Sequence, residues 1–480
     1  MIFDEKLTFK PHIFYIKRKC SQSLNILKVP TNCSWGADMD AMLKIYRSVI
    51  RSKLDCGISV YSSARQSVLK YLDTIHHQGL RISSGAFRTL PVESLYVLCS
   101  EPSLHFRRYK LSLDYYFKIK ANPLHPLYSC VCHPQLVTHF SSRPSYIPSF
   151  GIRITNILCE LNILNFEVFT YTDAIPPWVD FTACVLNVFN NLKKSETNPT
   201  VFTQRFYEHR HQYMDFTPIY TDGSKHDNHV GCGVAYESFN MSEKFLHETS
   251  IFTAECYAIL LALNFISDQT KNKWIIYTDS RSFISSVPYI GKNPIIQKIQ
   301  NHFMQLQVRG FNIYFCWIPS HFGILGNDRA DIIAKTTQNL SSNLLTCSDV
   351  KHICKSSVHQ EWKNHWNIQN NNKLHEIYPN LDNCKTFTVD RKTQTLINRL
   401  RIGHTRFTHM HLLVAEPAPS CTLCQVDISI KHILTNCRRF KYLRKKLFGR
   451  FYPNLSSLLS DPIHHNLIKF IKTIGLYSLI

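Results

Sequence analysis

The sequence predicts a layered α/β domain over about residues 205–340, with helices before it and a small metal-binding region after it. Three observations predict this. From Phe216 onward the apolar pattern changes from helical spacing to short β-branched and aromatic runs separated by amphipathic segments. Two of those runs close on one frame, Tyr220-Thr221-Asp222 and Tyr277-Thr278-Asp279. The order of pieces, three strands, a helix, a strand, two helices, a strand and a helix, is that of an α/β layered domain.

Residues 1–120 read as a helical segment. In Ala41 to Leu54 the apolar positions Leu43, Tyr46, Val49, Ile50 and Leu54 recur at helical spacing, and Val68, Leu69, Leu72 and Ile75 repeat the pattern. Prolines thicken from Asn122 to Pro199, so residues 121–204 are expected to be an irregular connector with short elements. Within the α/β domain, Phe216 to Thr221 is the first strand, and Gly231 to Tyr236 with Lys244 to Glu248 completes a meander. Thr253 to Ser267 is an apolar helix and Lys273 to Thr278 a strand; helices Ser280 to Ser286 and Pro294 to Val308, strand Phe311 to Ile318 and a helix from Asp328 to about Gln338 complete the set. Residues 341–480 form a basic C-terminal region.

Charge narrows the function classes. The 480 residues carry 55 Lys+Arg against 34 Asp+Glu, a net charge of +21, which an enzyme for small neutral molecules does not need. The excess is +10 over residues 1–120 and +12 over 341–480, against −1 over 211–340. Basic flanks around a near-neutral module suggest that the flanks hold a phosphate backbone while the centre acts on it, although solvated lysine-rich helices would give the same arithmetic. The longest apolar run, Tyr257 to Ile266, falls short of the roughly 20 residues that span a bilayer, so no membrane partner is expected. Acids at Asp4 and Glu5 argue against a secretory signal, and 17 scattered cysteines fit mostly buried thiols in a reducing compartment; an intracellular protein is expected.

The acids carry the chemistry. Asp222 and Asp279 stand at the ends of their runs, where ligand sites form in open α/β sheets. One such Asp could simply open a turn; two in identical frames ask for more. Glu255 continues through Ala258, Ile259, Ala262 and Phe265 at helical spacing, which aims a carboxylate along the buried face. A first-turn Glu complementing the helix dipole, with Thr253 as cap, explains its presence but not its direction. Asp331 is one acid in the apolar turn Ala330-Asp331-Ile332-Ile333-Ala334; Asn327 and Asp328 before it read as caps. Four acids at one rim repel one another unless a cation neutralises them, and hard oxygen ligands favour two Mg²⁺ or Mn²⁺ ions. His321, after the last strand, is placed to serve as a proton shuttle, or is an ordinary loop histidine.

Tyr220-Thr221-Asp222-Gly223-Ser224, Thr253-Ala254-Glu255, Tyr277-Thr278-Asp279-Ser280, Trp317-Ile318-Pro319-Ser320-His321-Phe322-Gly323 and Ala330-Asp331 together resemble the type 1 ribonuclease H domain, more closely the copy carried by Jockey-like retrotransposons that lack long terminal repeats. The resemblance covers about residues 215–338. It implies a ribonuclease H-like five-stranded mixed sheet flanked by helices, endonucleolytic cleavage of the RNA strand of RNA·DNA hybrids to leave 5′-phosphomonoesters, and two-metal catalysis by Asp222, Glu255, Asp279 and Asp331 with His321. It also implies substrate contacts by Gly223, Ser224 and Ser280. Pro288 to Pro294 is short and holds only Lys292, so the family's basic protrusion is not expected here. The segments Phe3 to Ile13 and Ile45 to Asp55 resemble the thumb and connection of such an element's reverse transcriptase. A polymerase palm needs a Tyr-x-Asp-Asp pair and the sequence has no adjacent Asp-Asp, so the chain is expected to be the C-terminal part of a longer polyprotein, with the missing reverse transcriptase portion as a partner.

Cys421-x-x-Cys424, followed by His432 and Cys437, offers three thiolates and an imidazole, a set suited to a closed, structural Zn²⁺ site. It resembles the Cys-Cys-His-Cys segment that follows the ribonuclease H domain in these elements. His404, His409 and His411 lie nearby without a ligand pattern. Two other functions fit parts of the sequence: a decayed or domesticated nucleic-acid-binding protein that keeps the fold, and a strand-transferring transposase or integrase of the same fold. Intact acids weigh against the first. Against the second stand Asp331 on the last helix, where those enzymes place a Glu, and Glu255 on the first.

Overall fold

The computed structural model describes residues 1–479 except 33–34, 144–145, 164–165, 172–174, 177, 190–191, 193–195, 228, 290–292, 339, 343 and 382–388. Lys292, and with it the expectation of a missing basic protrusion, lies outside the described residues. The chain divides into two compact units, one of residues 1–112, 140–150 and 356–480, the other of residues 113–139 and 151–355. Among the described residues no helix is long and apolar enough to cross a membrane.

The second unit is built on a seven-stranded mixed sheet. Its strands are β1 (Val185–Leu186), β2 (Thr217–His226), β3 (His229–Tyr236), β4 (Phe239–Phe245), β5 (Lys273–Thr278), β6 (Asn312–Trp317) and β7 (Leu340–Ser342), in the order β1-β6-β5-β2-β3-β4-β7. The five central strands are the expected sheet; the two short edge strands are additions that pair parallel to β6 and β4. Strand β2 runs antiparallel to β3 and parallel to β5, with Thr221 opposite Thr278. Helices around this sheet include α1 (Pro199–Gln212), α2 (Ile251–Ser267), α3 (Arg281–Ser286), α4 (Pro294–Val308) and α5 (Leu325–Thr336), and α6 (Cys347–Asn367) begins in this unit.

Apolar alternation along the strands assigns each face a cover. Ile219, Val230, Cys232, Val234, Trp274, Ile276, Ile313 and Phe315 point to one side and pack against α2 and α4 through residues such as Ile259, Leu263, Ile299 and Phe303. Each such fully buried large side chain is worth about 1.5–3 kcal/mol. The opposite face divides. Ile275, Tyr277 and Trp317 meet Phe202 and Phe206 of α1, while Ala235 and Tyr220 meet Ala330 and Ile333 of α5. The connector is therefore partly core: Phe169, Ile175, Phe181 and Cys184 join the α2 side and Phe189 the α1 side.

Several boundaries differ from the sequence reading, each for a physical reason. Strand β2 continues past Thr221 to His226 because β3 pairs with it from Tyr220 to His226, so Asp222 lies inside β2 opposite Gly233. The third strand of the meander is Phe239–Phe245, not Lys244 to Glu248, since Glu237 at φ 45° turns the chain back directly after Tyr236. Helix α2 begins two residues before Thr253, and its cap is Ser250, whose side chain accepts from the Thr253 N–H. Helix α5 begins at Leu325, so Asn327 and Asp328 are first-turn residues and not caps.

In the other unit, helices Lys10–Lys28 and Met39–Ile45 pack on Gln66–Ser84, and helix Arg391–Ile402 is hydrogen-bonded to Met39 and to the end of Gln66–Ser84, so both basic ends of the chain contribute to one body. Helix Gln66–Ser84 ends at Gly85, φ +68°. Its last carbonyls are met from Arg391–Ile402: Arg391 donates to Ile82 and Ser83, Asn398 to Ser84 at 2.9 Å and Arg399 to Gly85 at 2.9 Å.

Helix α5 lies directly on β3 because two residues there have no side chain. A Cβ at Gly233 would stand 2.3 Å from the Ala330 carbonyl oxygen and 2.7 Å from the Ala334 nitrogen, and one at Gly231 2.3 Å from the Ala334 oxygen. Gly233→Ala should therefore force the helix off the strand and destabilise the chain by about 1–3 kcal/mol. A urea midpoint equal to that of the wild type would show that the helix does not need this closeness.

Candidate active site

Four elements deliver four carboxylates to one rim. Asp222 and Asp279 follow Thr221 and Thr278, which face each other across the parallel pair β2 and β5. Asp331 rides on α5 next to Ala330, whose carbonyl sits over Gly233, the partner of Asp222. Glu255 is set by α2 against Gly223, where a Cβ would fall 2.6 Å from the Glu255 nitrogen and 2.9 Å from its Cγ. Glycine at 223 is thus a packing requirement of the site.

The electrostatics follow from this placement. Asp222 is 6% exposed, and its carboxylate accepts from the Gly223 N–H at 2.7 Å. Burial, then the charges of Asp279 and Asp331, push its pKa up from 3.8 to about 9 against that hydrogen bond. Glu255 is pushed up to about 7, first by burial, with Asp279 adding to it and a hydrogen bond from the Ser280 hydroxyl opposing it. Asp331 pairs with Lys335 at 2.6 Å, and the Asp279 backbone carbonyl accepts from the Trp317 indole at 3.0 Å.

The donor set fits hard divalent ions. Four carboxylates at one rim are oxygen donors of the kind that Mg²⁺ and Mn²⁺ take. His321 stands apart, exposed on the loop between β6 and α5 with φ 62°, and among the described residues no hydrogen bond or ion pair ties it to the acids. Ser224 is buried within β2, and Ser280 caps α3 while holding Glu255.

Sequence reading missed a residue that supports Glu255. Asp349, 3% exposed, accepts from the Ser250 N–H at 3.2 Å and from the Thr253 hydroxyl at 2.8 Å, which ties down the first turn of α2. It also accepts from the Thr346 N–H and hydroxyl, while Thr346 accepts from the Asp349 N–H, a capping box at the start of α6. The Thr-x-x-Asp spacing was the available signal.

The ligand atoms of Cys421, Cys424, His432 and Cys437 all lie within 4.8 Å of one another, and the Cys421 and Cys437 sulfurs are 3.9 Å apart. Thiolates 2.3 Å from a tetrahedral ion stand about 3.8 Å apart. The His432 Nε2 is buried without a hydrogen-bond partner. His432 beside it, then the backbone N–H groups of Cys424 and Leu423, bring the Cys421 thiol down to about 6, while burial raises Cys437. The residues fit Zn²⁺.

Residues 215–339 match the family model described as RNase H, so an RNase H domain occupies this part of the chain. Similar solved structures include an RNase H1 isolated from compost by a metagenomic approach (23% identical over 25% of this chain and 94% of that one, TM-score 0.22). The RNase H1 of the halophilic archaeon Halobacterium salinarum NRC-1 is 18% identical over 25% of this chain and 94% of that one, TM-score 0.20. The compost enzyme in complex with an RNA/DNA hybrid is 21% identical over 25% of this chain and 93% of that one, TM-score 0.21.

Two outcomes follow from these sites. Asp222 and Glu255 hold their protons more tightly folded than unfolded, so the stability they give is complete near pH 4 and is lost as pH rises through about 7 for Glu255 and about 9 for Asp222. Without added divalent ions the full chain should lose stability from pH 6 to 9 relative to Asp222→Asn, by at most about 1.4 kcal/mol per pH unit for that group. Parallel pH profiles for the two proteins would contradict this. Separately, chelator-free protein should carry about one zinc per chain, and Cys424→Ser should lose it and become protease-sensitive around residues 421–437; zinc retained in full by the variant would remove Cys424 from the ligand set.

Proposed function

We propose that the chain is a metal-dependent endoribonuclease that hydrolyses the RNA strand of RNA·DNA hybrids, within a retrotransposon-derived protein related to reverse transcriptase. The observation that carries the reading is the meeting of Asp222, Asp279, Asp331 and Glu255 at one sheet rim, with Asp222 buried and acid-crowded. The match of residues 215–339 to the RNase H model supports it.

In this proposal Asp222, Glu255, Asp279 and Asp331 hold two Mg²⁺ or Mn²⁺ ions. When bound, such ions activate a water and neutralise charge on the scissile phosphate and leaving oxygen. The chain's own residues do the positioning. Asp222 would release its proton to solvent as such ions bind, because their charge would outweigh the burial that otherwise keeps it neutral. The Ser280 hydroxyl fixes the rotamer of Glu255 through its Oε2. His321, free in the loop, moves a proton between solvent and the reacting phosphate. Gly223, Ser224 and Ser280 are proposed to line the hybrid's path at the rim.

The test is cleavage of a labelled hybrid by the full-length chain with Mg²⁺. RNA should be cut and duplex DNA left whole. Asp222→Asn should lower the rate by at least about a hundredfold, since the missing charge weakens ion binding and water activation together. Cleavage by the variant at the wild-type rate would remove Asp222 from the mechanism.

A further inference from the structure

Outside the acid rim, the first unit holds a cavity of about 570 Å³ between the end of helix Gln66–Ser84, helix Arg391–Ile402 and the C-terminal residues. Lys28, Arg81, Arg391, Lys392 and Arg399 line it, and among its described lining residues there is no carboxylate. Two of these cations are fixed in place: Arg391 and Arg399 donate to the carbonyls of Ile82, Ser83 and Gly85. Carbonyl partners orient a guanidinium but do not neutralise it. The Arg81 Nε is buried with no hydrogen-bond partner. At the mouth the Tyr477 ring carries the ammonium groups of Lys392 and Lys472, each 4.9 Å from its centroid.

Crowded cations repel one another, and an anion bound among them relieves that repulsion. Burial and Arg88 lower the Arg81 pKa, and burial and Arg399 lower that of Arg391, although Asp38 opposes the second. We propose that this cavity binds the phosphodiester backbone of a single nucleic-acid strand. Several cations around one concave site suit a flexible polyanion, and this unit carries the excess of both chain ends, +9 over residues 1–112 and +11 over 356–480. This inference stands independently of the proposed cleavage, because none of its residues belongs to residues 215–339.

The test is fluorescence anisotropy of a labelled oligothymidylate, which the proposed activity does not cut, with the full-length chain over a salt series. Lys28→Gln with Lys392→Gln, two exposed side chains, should weaken binding about tenfold and flatten the plot of log K against log salt by about 0.7 per lysine. Arg81→Gln should add to the loss. The exposed pair Lys44→Gln with Lys469→Gln, outside the lining, should leave the slope unchanged. Equal effects of the two lysine pairs would reduce the site to net charge and overturn it, as would an unchanged slope in the cavity pair. Loss of binding to phosphatidylserine vesicles with oligonucleotide binding intact would also overturn it, in favour of a lipid headgroup.

Discussion

The close approach of α5 to β3 is the constraint on which the acid rim depends. Gly231 and Gly233 present no Cβ to hold the helix away, and the backbone of Ala330 and Ala334 occupies the space. Because Gly233 pairs with Asp222, the helix that settles there brings Asp331 alongside a carboxylate that β2 has already buried. A side chain at Gly233 would act first on packing and then on charge, since Asp331 contributes directly to the raised pKa of Asp222.

Such an arrangement stores unfavourable electrostatics in the ion-free chain. Burying a carboxylate beside like charges costs several kcal/mol unless it is neutralised, and proton uptake is the ion-free remedy. The surroundings prevent the acids from relaxing apart. Asp349 and Ser250 hold the first turn of α2, Ser280 holds the Glu255 carboxylate, and the Trp317 indole grips the Asp279 backbone. The cysteine cluster solves the opposite problem. Its four ligands close tightly on one another, as a structural ion requires.

Much of this domain was legible because its elements are strongly periodic or sharply bounded. The run Lys273–Thr278 is a strand in both reading and structure, and the four acids stood out by their frames. Legibility failed where tertiary contacts override local pattern. Phe239–Phe245 carries Asn240, Ser242 and Glu243 among its apolar residues, so its alternation is weak, and a turn at Glu237 rather than hydropathy sets its place. The early start of α5 depends on Gly326 fitting against the Tyr220 ring, where a Cβ would lie 2.3 Å away, a relation across more than a hundred residues. Helix α1 straddles the boundary at which the sequence ends its connector, and Phe202 packs on Phe322 while Thr203 donates to the Phe322 carbonyl at 2.9 Å, next to His321.

The basic ends illustrate a different limit. Read along the chain they are two separate flanks, and each could be a solvated surface. Their union rests on hydrogen bonds that sequence spacing cannot reveal: Arg391, Asn398 and Arg399 satisfy the four carbonyls from Ile82 to Gly85 that the end of a helix leaves without intrahelical partners. The side chains that complete that helix end are largely cationic, so docking the two segments necessarily concentrates positive charge at the junction. Screening confines the field of exposed charges to about 10 Å at ordinary ionic strength. Cations gathered at one junction therefore act on a polyanion together, whereas the same number scattered over two solvated flanks would act singly and be screened one by one.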